Sequence, residues 1–119
     1  MKKILVADDN SAILDSLKIM LEDAGYEVET TEDGAVAQNI KKPLPDLLLL
    51  DVWMSGIDGR DVCIHLKNSP ETNQVPIVIM SATKDIAQIA KDSGANAYIS
   101  KPFQMSDLLR IVSLHIKKQ

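Results

Sequence analysis

The chain has 119 residues, of which 45% are hydrophobic and 25% are charged, and this is the ordinary composition of one globular domain. Its formal net charge of −4 argues against direct binding to nucleic acid, because affinity for the phosphate backbone comes from clustered lysine and arginine. We find no apolar stretch long enough to cross a membrane, no signal-peptide pattern and a single cysteine, and we therefore expect a cytoplasmic protein.

Short apolar runs of strand type alternate five times with longer stretches of helical spacing. The four leucines of the third run leave no polar face, which is typical of a parallel strand that is covered on both sides. The second run alternates apolar and polar residues, as an edge strand does. The pattern predicts an α/β fold on a parallel sheet, with strands at 3–7, 26–30, 47–50, 77–80 and 97–100.

The helices are predicted between these strands from apolar spacing and from residues that begin or end helices. Gly25 and Gly94 end the first and fourth helices, and Asp33 and Asp58 are candidate N-caps of the second and third. No repeat or linker interrupts the pattern, so we expect one domain over 1–119. The predicted helices lie at 11–24, 34–42, 59–67, 84–93 and 105–117.

Chemically reactive side chains follow four of the five predicted strands, namely Asp8 and Asp9, Asp51, Ser81 and Lys101. Ligands of an open parallel sheet bind outside the carboxyl ends of its strands, so we expect these side chains to meet. Three adjacent carboxylates would raise one another's pKa unless a cation lay between them. Oxygen ligands suit Mg²⁺, or Mn²⁺ in its place, and no histidine or cysteine stands at these strand ends to favour zinc.

Asp51 is predicted to be a nucleophile that forms an aspartyl phosphate, with Lys101 and the Ser81 hydroxyl holding phosphoryl oxygens. Taken singly, each residue has an ordinary structural explanation. Asp8 and Asp9, for example, stand where side chains often cap the first turn of a helix. Only their joint placement at the strand ends supports the functional interpretation.

The same segments resemble the receiver domain of bacterial response regulators, and the resemblance covers the whole chain. It implies a doubly wound, flavodoxin-like fold with strand order 2-1-3-4-5, and a cis Lys101-Pro102 peptide bond. The segments that carry the resemblance are Val6-Ala7-Asp8-Asp9, Leu49-Leu50-Asp51-Val52-Trp53-Met54, Met80-Ser81-Ala82 and Tyr98-Ile99-Ser100-Lys101-Pro102-Phe103.

The resemblance also assigns roles to these residues. Asp51 would be the phospho-acceptor, and Ser81 and Lys101 would bind the phosphoryl group. Tyr98 matches a switch aromatic that swings inward, together with a movement of the hydroxyl at Ser81, and remodels the face of the fourth helix, fifth strand and fifth helix. The implied metal ligands are the side chains of Asp8, Asp9 and Asp51 and the backbone carbonyl of Trp53.

The implied partners are a histidine kinase or a histidine phosphotransfer protein as phosphoryl donor, and a downstream protein target. A phosphorylation-dependent homodimer stays open, and no contact with nucleic acid or membrane is expected. Such a chain promotes its own phosphoryl transfer and autodephosphorylation without being an enzyme on an external substrate. It could be a free-standing regulator, a phosphorelay intermediate or part of a longer protein.

Three other functions start from the same residues. A phosphatase of the haloacid-dehalogenase type needs a second aspartate where Trp53 stands, and a flavodoxin-like electron carrier needs a Ser/Thr/Gly-rich loop where Asp8 and Asp9 stand. A phosphorylation-independent interaction module, or pseudo-receiver, is the third.

The chain departs from the family pattern at one position, where Ser55 replaces the usual proline after Met54. We expect this serine to loosen the loop between Asp51 and Asp58 and to alter kinetics. The bulky Trp53 in the same loop is expected to shield the acyl phosphate from water.

Overall fold

The computed structural model describes residues 1–116, and these residues form seven strands and five helices. Five strands build the main sheet, in which every neighbouring pair is parallel and the order is β2-β1-β3-β6-β7. This is the predicted order 2-1-3-4-5, with β2 at the edge as expected. The strands are β1 Lys3–Ala7, β2 Glu27–Thr31, β3 Leu47–Asp51, β4 Trp53–Met54, β5 Ile57–Asp58, β6 Ile77–Ser81 and β7 Ala97–Ser100.

The helices are α1 Ser11–Asp23, α2 Gly34–Gln38, α3 Gly59–Lys67, α4 Ile86–Ser93 and α5 Met105–His115. Asp33 and Asp58 are N-caps, since their carboxylates accept the backbone N–H groups of Ala35 and Arg60, each at 2.8 Å. The helix α3 begins and ends at the predicted residues, Gly59 and Lys67. Within residues 1–116, no helix is both long and apolar enough to cross a membrane.

Four helices are shorter than predicted, α1 by only one residue because Ala24 is its C-cap. The prediction of α2 to residue 42 was wrong, because the Asn39 side chain donates to the carbonyl of Ala35 at 2.8 Å and the prolines that follow disfavour helix in the residues before them. The helix α4 begins at Ile86, two residues beyond the predicted start. In the segment before it, the N–H of Thr83 donates to the Ser81 hydroxyl. The helix α5 ends at His115, and the predicted end at Lys117 lies outside the described residues.

The core lies on both faces of the sheet, and β3 contributes to each half. Leu48 and Leu50 pack with buried residues of α2, α3 and α4, whereas Leu47 and Leu49 pack with those of α1 and α5. All four leucines are completely buried. The run without a polar face is therefore a central strand, as predicted, and its end is fixed between two packed layers.

A small antiparallel hairpin follows β3 and was not predicted. Its strands β4 and β5 pair Trp53 with Asp58 and Met54 with Ile57, and Ser55 and Gly56 form the turn. Gly56 has a φ of +76°, a conformation that suits glycine. The hairpin leads directly into Gly59, where an added Cβ would overlap the backbone carbonyl oxygen of Asp51. The start of α3 is thus pressed against the end of β3.

Candidate functional site

Three carboxylates meet at the carboxyl edge of the main sheet. Asp8 and Asp9 follow β1, and Asp51 is the last residue of the neighbouring β3. One oxygen from each of them lies within 4.8 Å of the others. Asp8 and Asp51 are buried, whereas Asp9 is exposed. The structure therefore brings together the three acids that the sequence places at strand ends.

The cap of α1 is supplied by Asn10 and not by the acids before it. The Asn10 side-chain oxygen accepts the N–H groups of Ala12 and Ile13 at 3.0 and 3.2 Å. Asp8 accepts the N–H of Asn10 with one oxygen, which fixes its orientation. The capping role considered for the acids is therefore filled by Asn10. The carboxylate of Asp9 does not cap the helix and is available for another role.

Lys101 supplies positive charge to this cluster. Its ammonium donates to Asp8 at 2.7 Å and to Asp51 at 3.2 Å. Burial alone would lower the pKa of Lys101, but the hydrogen bond to Asp8 and the charges of Asp51 and Asp8 outweigh it and raise that pKa. The peptide bond Lys101-Pro102 is cis, as the resemblance implied.

The pKa of Asp51 is raised to about 6. Burial is the main cause and the charge of Asp8 adds to it, while Lys101 acts in the opposite direction. When all three carboxylates are ionised, one ammonium leaves the cluster with excess negative charge. A divalent cation would balance that excess, and a set of carboxylate oxygens fits Mg²⁺.

Ser81 reaches the same edge of the sheet at the end of β6. It follows Met80, which pairs with Asp51 across β3 and β6, and it is almost fully buried. Its hydroxyl oxygen accepts the N–H of Thr83 at 3.1 Å. Ala82 follows it on the surface and lines an open groove of about 350 Å³ with Lys101. The predicted hydroxyl thus stands beside the acids, next to an open approach.

Ser55 makes a contact that the sequence did not reveal. Both its backbone N–H and its hydroxyl donate to one oxygen of Asp9, Oδ2, at 3.2 Å each. A loosened loop was expected at this serine, but the loop is paired as a hairpin and tied to the acid cluster. The two residues are 46 positions apart, and the family's proline would have neither donor.

Trp53 lies on the surface, with 55% of its side chain exposed. The Arg60 guanidinium stands 4.9 Å from the centre of the indole ring. The same guanidinium donates to both carboxylate oxygens of Asp58, at 2.6 to 3.1 Å, and these hydrogen bonds lower the pKa of Asp58. Sequence reasoning missed Arg60, since only the hairpin brings it over the ring.

Tyr98 points outward from β7 and is 43% exposed. It lies along a shallow surface groove between β7 and α5, which Phe103, Asp107 and Arg110 also line. The predicted switch aromatic therefore faces solvent.

Comparison with known proteins agrees with this geometry. The family model of the response regulator receiver domain matches residues 4–113. The DNA-binding dual master transcriptional regulator RpaA of Synechocystis sp. is 36% identical over 121 residues, which cover 99% of this chain and 50% of the relative. The chain spans about half the length of the curated relatives it matches.

Solved structures share the fold over nearly the whole chain. A putative response regulator from Chloroflexus aurantiacus has a TM-score of 0.86 and 36% identity, covering 95% of this chain and 96% of that one. The response regulator protein TrrA of Thermotoga maritima, solved in complex with Mg²⁺-BeF, has a TM-score of 0.85 and 30% identity, covering 96% and 98%.

Proposed function

The chain belongs to the response regulator receiver domain family of two-component systems, and we propose that Asp51 is the residue on which it accepts a phosphoryl group. Members of this family are phospho-accepting regulators and not enzymes that turn over an external substrate. The observation that carries the proposal is the placement of Asp51, which ends a central strand within reach of two further acids and one ammonium.

In the proposed reaction, a carboxylate oxygen of Asp51 attacks the phosphorus of a phosphohistidine. A new O–P bond forms, the P–N bond breaks, and the donor histidine leaves with the electron pair and takes up a proton. A pKa of about 6 leaves most of the Asp51 carboxylate ionised at neutral pH, as a nucleophile requires. Lys101 and the Ser81 hydroxyl would then bind phosphoryl oxygens, with Lys101 keeping its bond to Asp8.

We propose that Mg²⁺, or Mn²⁺ in its place, is held by the side chains of Asp8, Asp9 and Asp51 and by the backbone carbonyl of Trp53. The fit rests on the oxygen donors and on the excess negative charge of the cluster. The Mg²⁺-BeF complex of the similar TrrA supports the assignment. When bound, the ion reduces the repulsion between the carboxylate and the incoming phosphoryl oxygens.

The proposed output is a change of the face formed by α4, β7 and α5, with Ser81 and Tyr98 as switch residues. Tyr98 is exposed on that face, whereas Ser81 is buried at the carboxyl edge of the sheet, and the proposed change would run from the buried hydroxyl to the exposed ring. The proposed partners are a histidine kinase or histidine phosphotransfer protein and a downstream protein target, in the cytoplasm where ATP supplies the phosphoryl group. A phosphorylation-dependent homodimer through this face is a further proposal.

An interaction module that works without phosphorylation is not favoured, because the acids, the hydroxyl and the lysine are all present at one edge of the sheet. An autodephosphorylation activity is proposed as well, since water can reach the surface beside Asp9, the exposed member of the cluster.

Intact-mass spectrometry after incubation with acetyl phosphate tests the acceptor and the metal together. We expect one phosphoryl adduct on the wild type with Mg²⁺, none with EDTA and none on Asp51→Asn. The matched control is Asp23→Asn, an exposed acid at the far end of α1, which should be modified like the wild type. An adduct that persists in Asp51→Asn would place the acceptor elsewhere, and no adduct on the folded wild type would refute the proposed function.

A further inference from the structure

We propose that Ser55 is a positioning residue for Asp9, which it holds in the orientation needed for binding the divalent cation. The inference rests on the proposed function, since it takes Asp9 as a metal ligand. Ser55 itself does not touch the reacting atoms. It acts through the carboxylate that it binds.

Two donors from one residue converge on a single oxygen of Asp9. The N–H and the hydroxyl of Ser55 both donate to Oδ2, and within residues 1–116 no hydrogen bond is made to Oδ1. Two donors on one oxygen fix the plane of the carboxylate as well as its distance. The lone pairs of the second oxygen, Oδ1, stay available for binding a cation.

In the part of the chain that the structure describes, no other hydrogen bond or ion pair orients the Asp9 side chain. It is exposed, it lies beyond the end of β1, and Asn10 has taken over the cap of α1. Asp8, by contrast, is buried and is held by Asn10 and Lys101. A freely rotating carboxylate would lose rotamer freedom on binding the ion, and partners that orient a ligand in advance strengthen metal affinity.

The hairpin holds Ser55 in place against Asp9. Ser55 and Gly56 connect β4 to β5, and Met54 and Ile57 pair on either side of them. Gly56 has a positive φ whereas Ser55 does not, which is the pattern of a type II turn. Proline is common at the first central position of such a turn, so Ser55→Pro can keep the turn while it removes both donors.

The closing experiment is a Mg²⁺ titration by isothermal titration calorimetry on the folded, unphosphorylated chain. We expect the dissociation constant to rise about threefold in Ser55→Ala, which loses only the hydroxyl, and about tenfold in Ser55→Pro, which loses both donors. Ser55→Thr keeps both donors and should bind like the wild type. The matched control is Ser113→Ala, which removes an exposed hydroxyl that donates to Arg110 on α5 and should leave the affinity unchanged.

Equal or tighter Mg²⁺ binding by Ser55→Ala and Ser55→Pro, with circular dichroism showing both folded, would overturn the role of Ser55 and leave the proposed function standing. A wild type that binds no Mg²⁺ would overturn both. A second measurement needs no metal. The amide proton of Ser55 should exchange faster with solvent in Asp9→Ala than in the wild type, and an unchanged rate would show that the contact does not restrain Asp9.

Discussion

The carboxyl of Asp51 couples the stability of the fold to pH. Its pKa is about 6 in the folded chain, against an ordinary value of 3.8, so the folded state holds this proton more tightly than the unfolded state. The contribution of the Asp51 carboxyl to the free energy of unfolding is therefore fully present below about pH 4 and is lost as pH rises through about 6. At neutral pH the buried carboxylate destabilises the metal-free fold.

Asp51→Asn removes this penalty and should be more stable than the wild type at pH 7 in EDTA, by at most about 3 kcal/mol. The difference should shrink towards pH 4, where the wild-type carboxyl is protonated. Urea unfolding of both proteins between pH 4 and 8 measures it. A difference that does not change over this range would contradict the raised pKa.

Trp53 lies in the hairpin two residues beyond Asp51, and the Arg60 guanidinium stands over its ring. If the indole limits the access of water to the acyl phosphate, Trp53→Ala should lose the phosphoryl group a few-fold faster, whereas Trp53→Phe should change the rate less. Arg60→Gln should act in the same direction as Trp53→Ala, because the ring loses the cation above it. The decay of the adduct in intact-mass spectra gives the rates, and an unchanged lifetime in Trp53→Ala would refute the shielding role.

At the scale of single residues, the sequence predicts the positions of those side chains that follow directly from the end of a strand. Asp8, Asp9, Asp51 and Lys101 follow strands whose order brings their ends together, so their meeting follows from topology. The contact from Ser55 to Asp9 does not follow from topology. It depends on the turn of the hairpin and on a side-chain rotamer, and neither has a periodic signal in the sequence.

At the scale of elements, α2 and α3 begin alike but tolerate a methyl group differently. Each begins with a glycine after an aspartate cap, Gly34 and Gly59. A Cβ on Gly59 would lie 2.2 Å from the backbone oxygen of Asp51, whereas a Cβ on Gly34 would meet side-chain atoms of Ile57 and Met54 at 2.9 to 3.2 Å. The two glycines therefore differ in what surrounds them and not in their helical position.

Gly59→Ala should destabilise the fold by about 3 kcal/mol, because α3 must move away from the end of β3, and Gly34→Ala should cost about 1 kcal/mol. The first substitution should also weaken Mg²⁺ binding, since it displaces the backbone of Asp51, whose side chain is a proposed ligand. Chemical denaturation and calorimetry measure the two effects. Equal costs at the two glycines would contradict the close backbone approach at Gly59.

The elements that the sequence predicted well are those with a strong apolar pattern. The strand β3 and the helix α3 have long buried faces, and their positions were confirmed. The helix α2 was predicted too long because the residues after Gln38 are of helical type. The prolines that follow them disfavour a helical backbone in the residues before each proline. The two-residue strands of the hairpin are too short to have an alternation that could be recognised.

At the scale of the whole molecule, the acid cluster and the core are parts of one structure. The strand that ends at Asp51 belongs to both halves of the core, so an ion bound at its end would stabilise the folded chain as a unit. The parallel sheet and its two-sided core followed from the apolar pattern, which is averaged over many residues. The strand order was implied by the resemblance to receiver domains, and the structure has that order.

Saturating Mg²⁺ should therefore raise the free energy of unfolding of the wild type, by about 2.7 kcal/mol at a concentration one hundred times the dissociation constant. Asp51→Asn should gain less, since it lacks one ligand and carries less negative charge at the site. Thermal unfolding at a series of Mg²⁺ concentrations checks this expectation. The same increase in both proteins would mean that the ion binds away from Asp51.

The exposed indole beside the acid cluster also makes the chain its own optical probe. Trp53 is the only tryptophan in the sequence, so the whole indole emission comes from this one loop. The ring lies between solvent and a guanidinium, and its emission colour and intensity depend on both. We therefore expect the proposed ion binding and phosphoryl transfer to change this emission on the unlabelled chain, if either event alters the surroundings of the ring.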